Sequence, residues 1–199
     1  MTYQVPASIY ESEYVVKKSR FIARVLPVSS REEVNAAVSQ ARNDYPDARH
    51  HCWAYLLGKP ADATSAGMND DGEPAGTAGK PILNVLQYGH LGDVLVIVIR
   101  YFGGIKLGAG GLVRAYGTAT KMALEQAPAE TRRDLVEFSA AGDFSAEQPL
   151  RHFLAGVDGL LLSVDYGERV KINLALPAEQ ADALAAFCAS HAIDLESVV

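Results

Sequence analysis

The chain holds 199 residues, 49% apolar and 21% charged, a balance that supports one or two folded domains and excludes a disordered chain. Its net charge of −6 excludes uniform attraction to nucleic acid, which needs basic side chains to displace counterions from phosphates. The apolar run at residues 94–99, like every other in the sequence, is far below the roughly 20 residues that span a bilayer.

Residues 1–13 form a polar start, and Glu11 and Glu13 replace the basic and apolar regions of a signal peptide. Cys52 and Cys188 stand far apart with no metal-ligand spacing and read as two reduced thiols. A cytoplasmic protein with no membrane association is expected. Residues 14–28 read as strand, broken or bent around Lys18 and Ser19, with Phe21, Ala23 and Val25 on one face. Ser30 and Glu33 have capping-box spacing, and Val34, Ala37, Val38 and Ala41 continue a helix until Pro46 stops it. Residues 50–57 form the next strand. Residues 58–74 are polar, contain Asn69, Asp70, Asp71 and Gly72, and read as a surface loop.

Pro81 and Gly89 bracket a helix over 82–88. The β-branched run within 93–102 predicts a strand buried on both faces. Gly103, Gly104, Gly108, Gly110 and Gly111 then lead into an amphipathic helix from about 112 to 126, closed by Pro128. The first domain is expected over 1–130 and the second over 131–199. The second reads strand 135–140, helix capped by Ser145 and running to 157, strand 160–166, strand 169–176, helix 178–191 and strand 193–198. That is the ferredoxin-like β-α-β-β-α-β order, with Gly167 and Glu168 supplying a two-residue type II′ turn. The expected class is therefore α+β.

Charge is unevenly placed. Residues 1–134 carry 15 Lys+Arg against 14 Asp+Glu, whereas 135–199 carry 3 against 10. Within 80–121, Lys80, Arg100, Lys106, Arg114 and Lys121 face Asp93 alone, which concentrates positive charge around the glycines. The segment 100–117 joins a buried strand to a helix start, where free amides and the helix dipole favour an anion. Walker and Rossmann spacings do not fit, because Ala109 and Gly110 occupy the Lys and Ser/Thr positions and Val113 that of the third glycine. Two readings stand side by side: an anion site, or glycines serving tight turns and close helix packing.

Asp70, Asp71 and Glu73 lack EF-hand spacing, so a loop ordered by Asx-turns and closed by Lys80 is preferred over a metal site. On strand 50–57, alternation places His50, Cys52 and Ala54 on one face and His51, Trp53 and Tyr55 on the other. Cys52 reads as a packing residue rather than a nucleophile, and His50 as a polar residue facing a ligand groove. The candidate phosphate contacts are Lys80, Arg100, Gly103, Gly104, Lys106, Gly108, Gly110, Gly111 and Arg114; His50, Asp71 and Glu73 are candidate groove residues. No catalytic residue, metal or cofactor is expected.

Four motifs stand in order: KKSRFIA at 17–23, His-x-Cys-x-Ala at His50, Cys52 and Ala54, DDGEPAGTAGKPIL at 70–83, and RYFGGIKLGAGGLVRAY at 100–116. Together they resemble the YigZ/IMPACT family, and the acidic second half is similar to the second domain of its bacterial members. The resemblance implies a ribosomal-protein-type first domain, like domain IV of elongation factor G, and a second domain like that factor's domain V. Eukaryotic members of the family are linked to regulation of translation under amino-acid starvation.

The expected function is accordingly a noncatalytic, translation-associated regulatory factor that contacts structured RNA or a ribosomal surface through its first domain. The alternative is a small-molecule or nucleotide phosphotransferase or hydrolase, since LGAGGLVRA (107–115) resembles in outline the phosphate loop of the galactokinase–homoserine kinase superfamily; the serines of that loop are missing here. The second domain is expected to contact protein, because its charge repels phosphate and its strands offer chiefly Phe138 and Tyr166 as aromatics.

Overall fold

The structure, a computed structural model, describes residues 2–133 and 135–198. It divides into two compact units, Tyr3–Arg132 and a second comprising Thr2 with the chain from Arg133 onward.

The first unit is built on a five-stranded sheet of β2 (Tyr10–Val16), β3 (Ser19–Pro27), β4 (His50–Lys59), β5 (Asp62–Asn69) and β6 (Val94–Tyr101), in the order β2-β3-β6-β4-β5. Every pairing is antiparallel. The apolar run forms the central strand, and its two faces are sorted by alternation. Val94, Val96 and Val98 meet α2 (Gly79–Gln87) and α3 (Ala109–Gln126), together with Phe21, Ala23 and Val25. Leu95, Ile97 and Ile99 pack with Val34, Val38 and Ala41 of α1 (Arg31–Asp44) on the opposite face. The predicted capping box forms: Ser30 Oγ accepts from the Glu33 amide at 3.2 Å, and Glu33 reaches back to the Ser29 amide at 2.7 Å.

Two expectations fail here. The polar start contains β1 (Thr2–Pro6), which pairs with β7 (Ala129–Arg133) in a small separate sheet. Asp93 ties that region down, accepting the Gly58 amide at 2.7 Å through Oδ1 and Tyr3 and Arg132 through Oδ2. The loop expected over 58–74 contains strand β5 at Asp62–Asn69. Its residues bury almost nothing because β5 is an edge strand, so it lacks the apolar alternation that marks a half-buried strand. What holds it is the backbone ladder to β4.

The second unit contains β8 (Leu135–Gly142), α4 (Glu147–Gly156), β9 (Leu160–Tyr166), β10 (Val170–Pro177), α5 (Ala181–Ser190) and β11 (Asp194–Ser197). The sheet order β11-β8-β10-β9 and its antiparallel pairings agree with the ferredoxin-like reading. Leu150, Leu154, Leu184 and Cys188 bring both helices onto Phe138, Ile172 and Leu174. Phe138 is thus a core residue rather than an exposed aromatic, while Tyr166 is exposed and reaches Glu147. Ser145 does not cap α4; it lies inside a 3-10 turn, Phe144–Ala146, that precedes the helix. The β9–β10 turn has three residues, since Tyr166 faces Val170, and Gly167 does not take the positive φ that a type II′ turn requires.

Candidate functional site

The four sequence motifs converge at one end of the first sheet. Phe21 on β3 and His50 on β4 flank Arg100 on the central strand, and the loop before α2 closes over them. At the centre, Glu73 Oε1 accepts hydrogen bonds from Arg100 Nη1 at 2.6 Å and from the Tyr116 hydroxyl at 2.8 Å. The Glu73 and Arg100 side chains are 4% and 8% exposed. Arg100 also approaches the rings of Phe21 and Phe102, at 5.5 and 5.7 Å. Its guanidinium therefore serves the interior of this junction, and the expectation of a solvent-facing phosphate contact at Arg100 gives way to a buried ion pair. The physical reason is register: Arg100 continues the inward face of Val96 and Val98.

Cys52 packs as expected. Its thiol donates to the Asp70 carbonyl at 3.0 Å and lies 3.3 Å from the Tyr116 hydroxyl, and burial pushes its pKa up to about 12, so the reactive thiolate is scarce at neutral pH. Burial likewise pushes the Tyr116 hydroxyl far up. His50 Nδ1 donates to the Asp71 carbonyl at 2.8 Å. Asp71 spans Arg42 and the His51 amide with its two oxygens. Asp71 and Glu73 are thus engaged within the protein; His50 and Asp71 are half-buried and Glu73 is buried.

Lys80 does not close the acidic loop. Asp70 does so, accepting the amides of Gly76 at 2.8 Å, Ala78 at 3.0 Å and Gly79 at 2.8 Å, while Lys80 is exposed at the start of α2. Burial would raise the Asp70 pKa, but these amides outweigh it and hold the carboxyl below its ordinary value. A lowered folded-state pKa gives stability that is present above about pH 5 and lost as pH falls below about 4. Asp70→Ala is expected to destabilise the first unit by about 2–3 kcal/mol at pH 7 and to flatten its stability between pH 5 and 3, measured by urea denaturation across that range.

The glycine-rich segment builds the outer part of the site. Gly103 lies against the β2–β3 turn: its amide donates to Ser19 Oγ at 3.2 Å, and the place of a Cβ is filled by the Lys18 carbonyl. Lys17 and Lys18, both exposed and both at positive φ, form the tip of that turn. Gly104 and Lys106 follow in the same loop, exposed. Gly108, at φ +74, is the N-cap of α3, which begins at Ala109 rather than near 112, so Gly110 and Gly111 lie in its first turn. No side chain caps this helix and no acidic residue sits in the first turn. Arg114 folds back toward Gly110. The structure thus sets Gly103 against the Lys17–Lys18 turn and Arg114 beside Gly110 at the start of α3, with exposed Phe102 and Lys106 in the loop between; Lys17, Lys18 and Phe102 were not among the residues singled out from sequence. The Lys17-Lys18 pair ahead of a strand was the available signal.

Asp70, Asp71 and Glu73 each accept hydrogen bonds from protein groups. Among the described residues no group of three or more His, Cys, Asp or Glu could hold a metal, and no helix is long and apolar enough to cross a membrane.

The Impact N-terminal domain matches residues 17–124, which spans all four motifs. The chain belongs to the IMPACT family. A domain of unknown function, DUF1949, matches residues 143–189 of the second unit. The IMPACT family member YigZ of Escherichia coli is 40% identical over 174 residues, covering 87% of this chain and 85% of that protein. YvyE of Bacillus subtilis, another IMPACT family member, is 36% identical over 173 residues, 87% and 79% of the two chains. A crystal structure described as that of a hypothetical protein superposes with a TM-score of 0.70 at 36% identity, covering 100% of this chain and 98% of the other. That structure shares the mixed α/β, two-domain fold described above.

Proposed function

We propose that this IMPACT-family protein is a cytoplasmic, translation-associated regulatory factor that binds structured RNA, or RNA on a ribosomal surface, through its first unit. The observation that carries this reading is the basic surface made by Lys17, Lys18, Lys106 and Arg114 beside the uncapped start of an 18-residue helix. The unit that holds it is nearly neutral in sum. Such a surface meets phosphate through charge-assisted hydrogen bonds and helix amides. Lys80 and the backbone at Gly103, Gly104, Gly108, Gly110 and Gly111 complete the proposed contact area. The ribosomal-protein character of the first unit, with likeness to domain IV of elongation factor G, and of the second to domain V, is part of the same proposal and rests on the family resemblance. The acidic second unit takes the role of a protein-contact module.

Binding of the intact protein to a labelled RNA hairpin and to ribosomal subunits over a salt series tests the reading. Affinity is expected to fall steeply with salt. Lys106→Glu with Arg114→Glu should weaken binding at least about ten-fold and lower the log–log salt slope by about two. No binding at low salt, or an unchanged affinity in the double variant, rejects it.

A further inference from the structure

Phe102 is 55% exposed, although it follows directly on the buried central strand. One face of its ring is covered by the Arg100 guanidinium at 5.7 Å, and Arg100 is itself fixed by Glu73 at 2.6 Å. The remaining exposure belongs to a ring that is anchored from behind. Two of the segments that meet near it, residues 14–31 and 101–124, contain no Asp or Glu, Lys17, Lys18 and Lys106 are exposed, and Glu73 of the neighbouring loop is buried and paired with Arg100. Gly103, the next residue, packs on the Lys18 backbone, which brings the lysine turn beside the ring.

An exposed aromatic held rigid among lysines is the arrangement that takes a nucleobase: every base offers a π-face, and the flanking phosphates meet the cations. A cation beneath the ring adds attraction within the stack by fixing and polarising it. A fully paired helix hides its base faces, so such a platform has no use on duplex alone. We infer that Phe102 stacks an unpaired base of the bound RNA while Lys17, Lys18 and Lys106 hold the adjacent phosphates. This rests on the RNA-binding reading above and narrows its ligand to RNA with unpaired nucleotides, such as a loop, bulge or single-stranded end.

The test uses the full chain with two labelled RNAs, a stem closed by an adenine-rich loop carrying 2-aminopurine and the same stem as a blunt duplex. Phe102→Ala is expected to weaken loop-RNA binding about ten-fold or more, to leave duplex binding within about two-fold, and to abolish the quenching of 2-aminopurine seen with the unaltered protein. Phe102→Trp should retain both affinity and quenching. Equal effects on the two RNAs, or no effect of Phe102→Ala on either, overturn the stacking inference while salt-sensitive binding by the lysines leaves the wider reading standing. Failure of the unaltered protein to bind either RNA removes both. If Phe102→Ala spares both RNAs yet lowers retention on ribosomal subunits, the ring docks on protein and the inference falls.

Discussion

Glu73→Ala is expected to destabilise the first unit by about 3–5 kcal/mol, because it leaves a buried guanidinium without its counter-charge. Glu73 and Arg100 are both nearly inaccessible, and Arg100 Nε already lacks a hydrogen-bond partner among the described residues. Without Glu73 the neighbouring rings of Phe21 and Phe102 cannot solvate the cation, and the Tyr116 hydroxyl loses its acceptor as well. Urea denaturation of the intact protein gives the value. A second variant separates charge from shape: Glu73→Leu with Arg100→Met removes both ions together and is expected to recover most of the loss, since a buried pair must repay its own desolvation. A loss below about 1 kcal/mol in the single variant contradicts this account of the junction.

Gly103→Ala is expected to cost about 3 kcal/mol and to weaken RNA binding in the same variant. The added Cβ lies 2.0 Å from the Lys18 carbonyl carbon, 2.1 Å from its oxygen and 2.4 Å from the Ser19 nitrogen, all backbone atoms that no rotamer change can move aside. The β2–β3 turn has little room to yield, with Lys17 and Lys18 already at φ 46 and 64. Displacing it carries both lysines away from Lys106. Gly117→Ala, in the middle of α3 with nothing within 4 Å of the new methyl, is the matched control and should stabilise by up to about 1 kcal/mol. Thermal unfolding and hairpin-RNA affinity of the two variants are compared; equal stability of the two variants sinks the close-contact argument.

How far the sequence reaches can be judged from the same residues. Elements whose pattern is apolar and periodic were readable: the central strand, the capped first helix and the β-α-β-β-α-β order all follow from side chains that must be buried. β5 was not, because an edge strand held mainly by backbone pairing, with polar contacts such as Ser65 to Tyr55, carries no apolar alternation. The site was readable as a list of motifs and unreadable as an arrangement. Arg100 looks the same in sequence whether it faces solvent or Glu73, and only the register of β6 against β3 and β4 decides. Lys17 and Lys18 acquire their role through an 84-residue separation between Ser19 and Gly103, a distance that no local pattern reports. Asp70 was read correctly as a loop organiser, yet its partners are amides rather than Lys80.

The position of β6 also bears on how the chain is made. The hairpins β2–β3 and β4–β5 are complete by residue 69, but neither pairs with the other; each pairs with β6 on an opposite side. During synthesis they emerge as two separate ribbons whose open edges are joined only when the strand ending at Tyr101 leaves the exit tunnel. Until then α1 has half of its sheet face to cover and the Arg100–Glu73 lock cannot close. The sheet of the first unit is therefore expected to close only once β6 is made, and until then its open ribbon edges are exposed to mispairing.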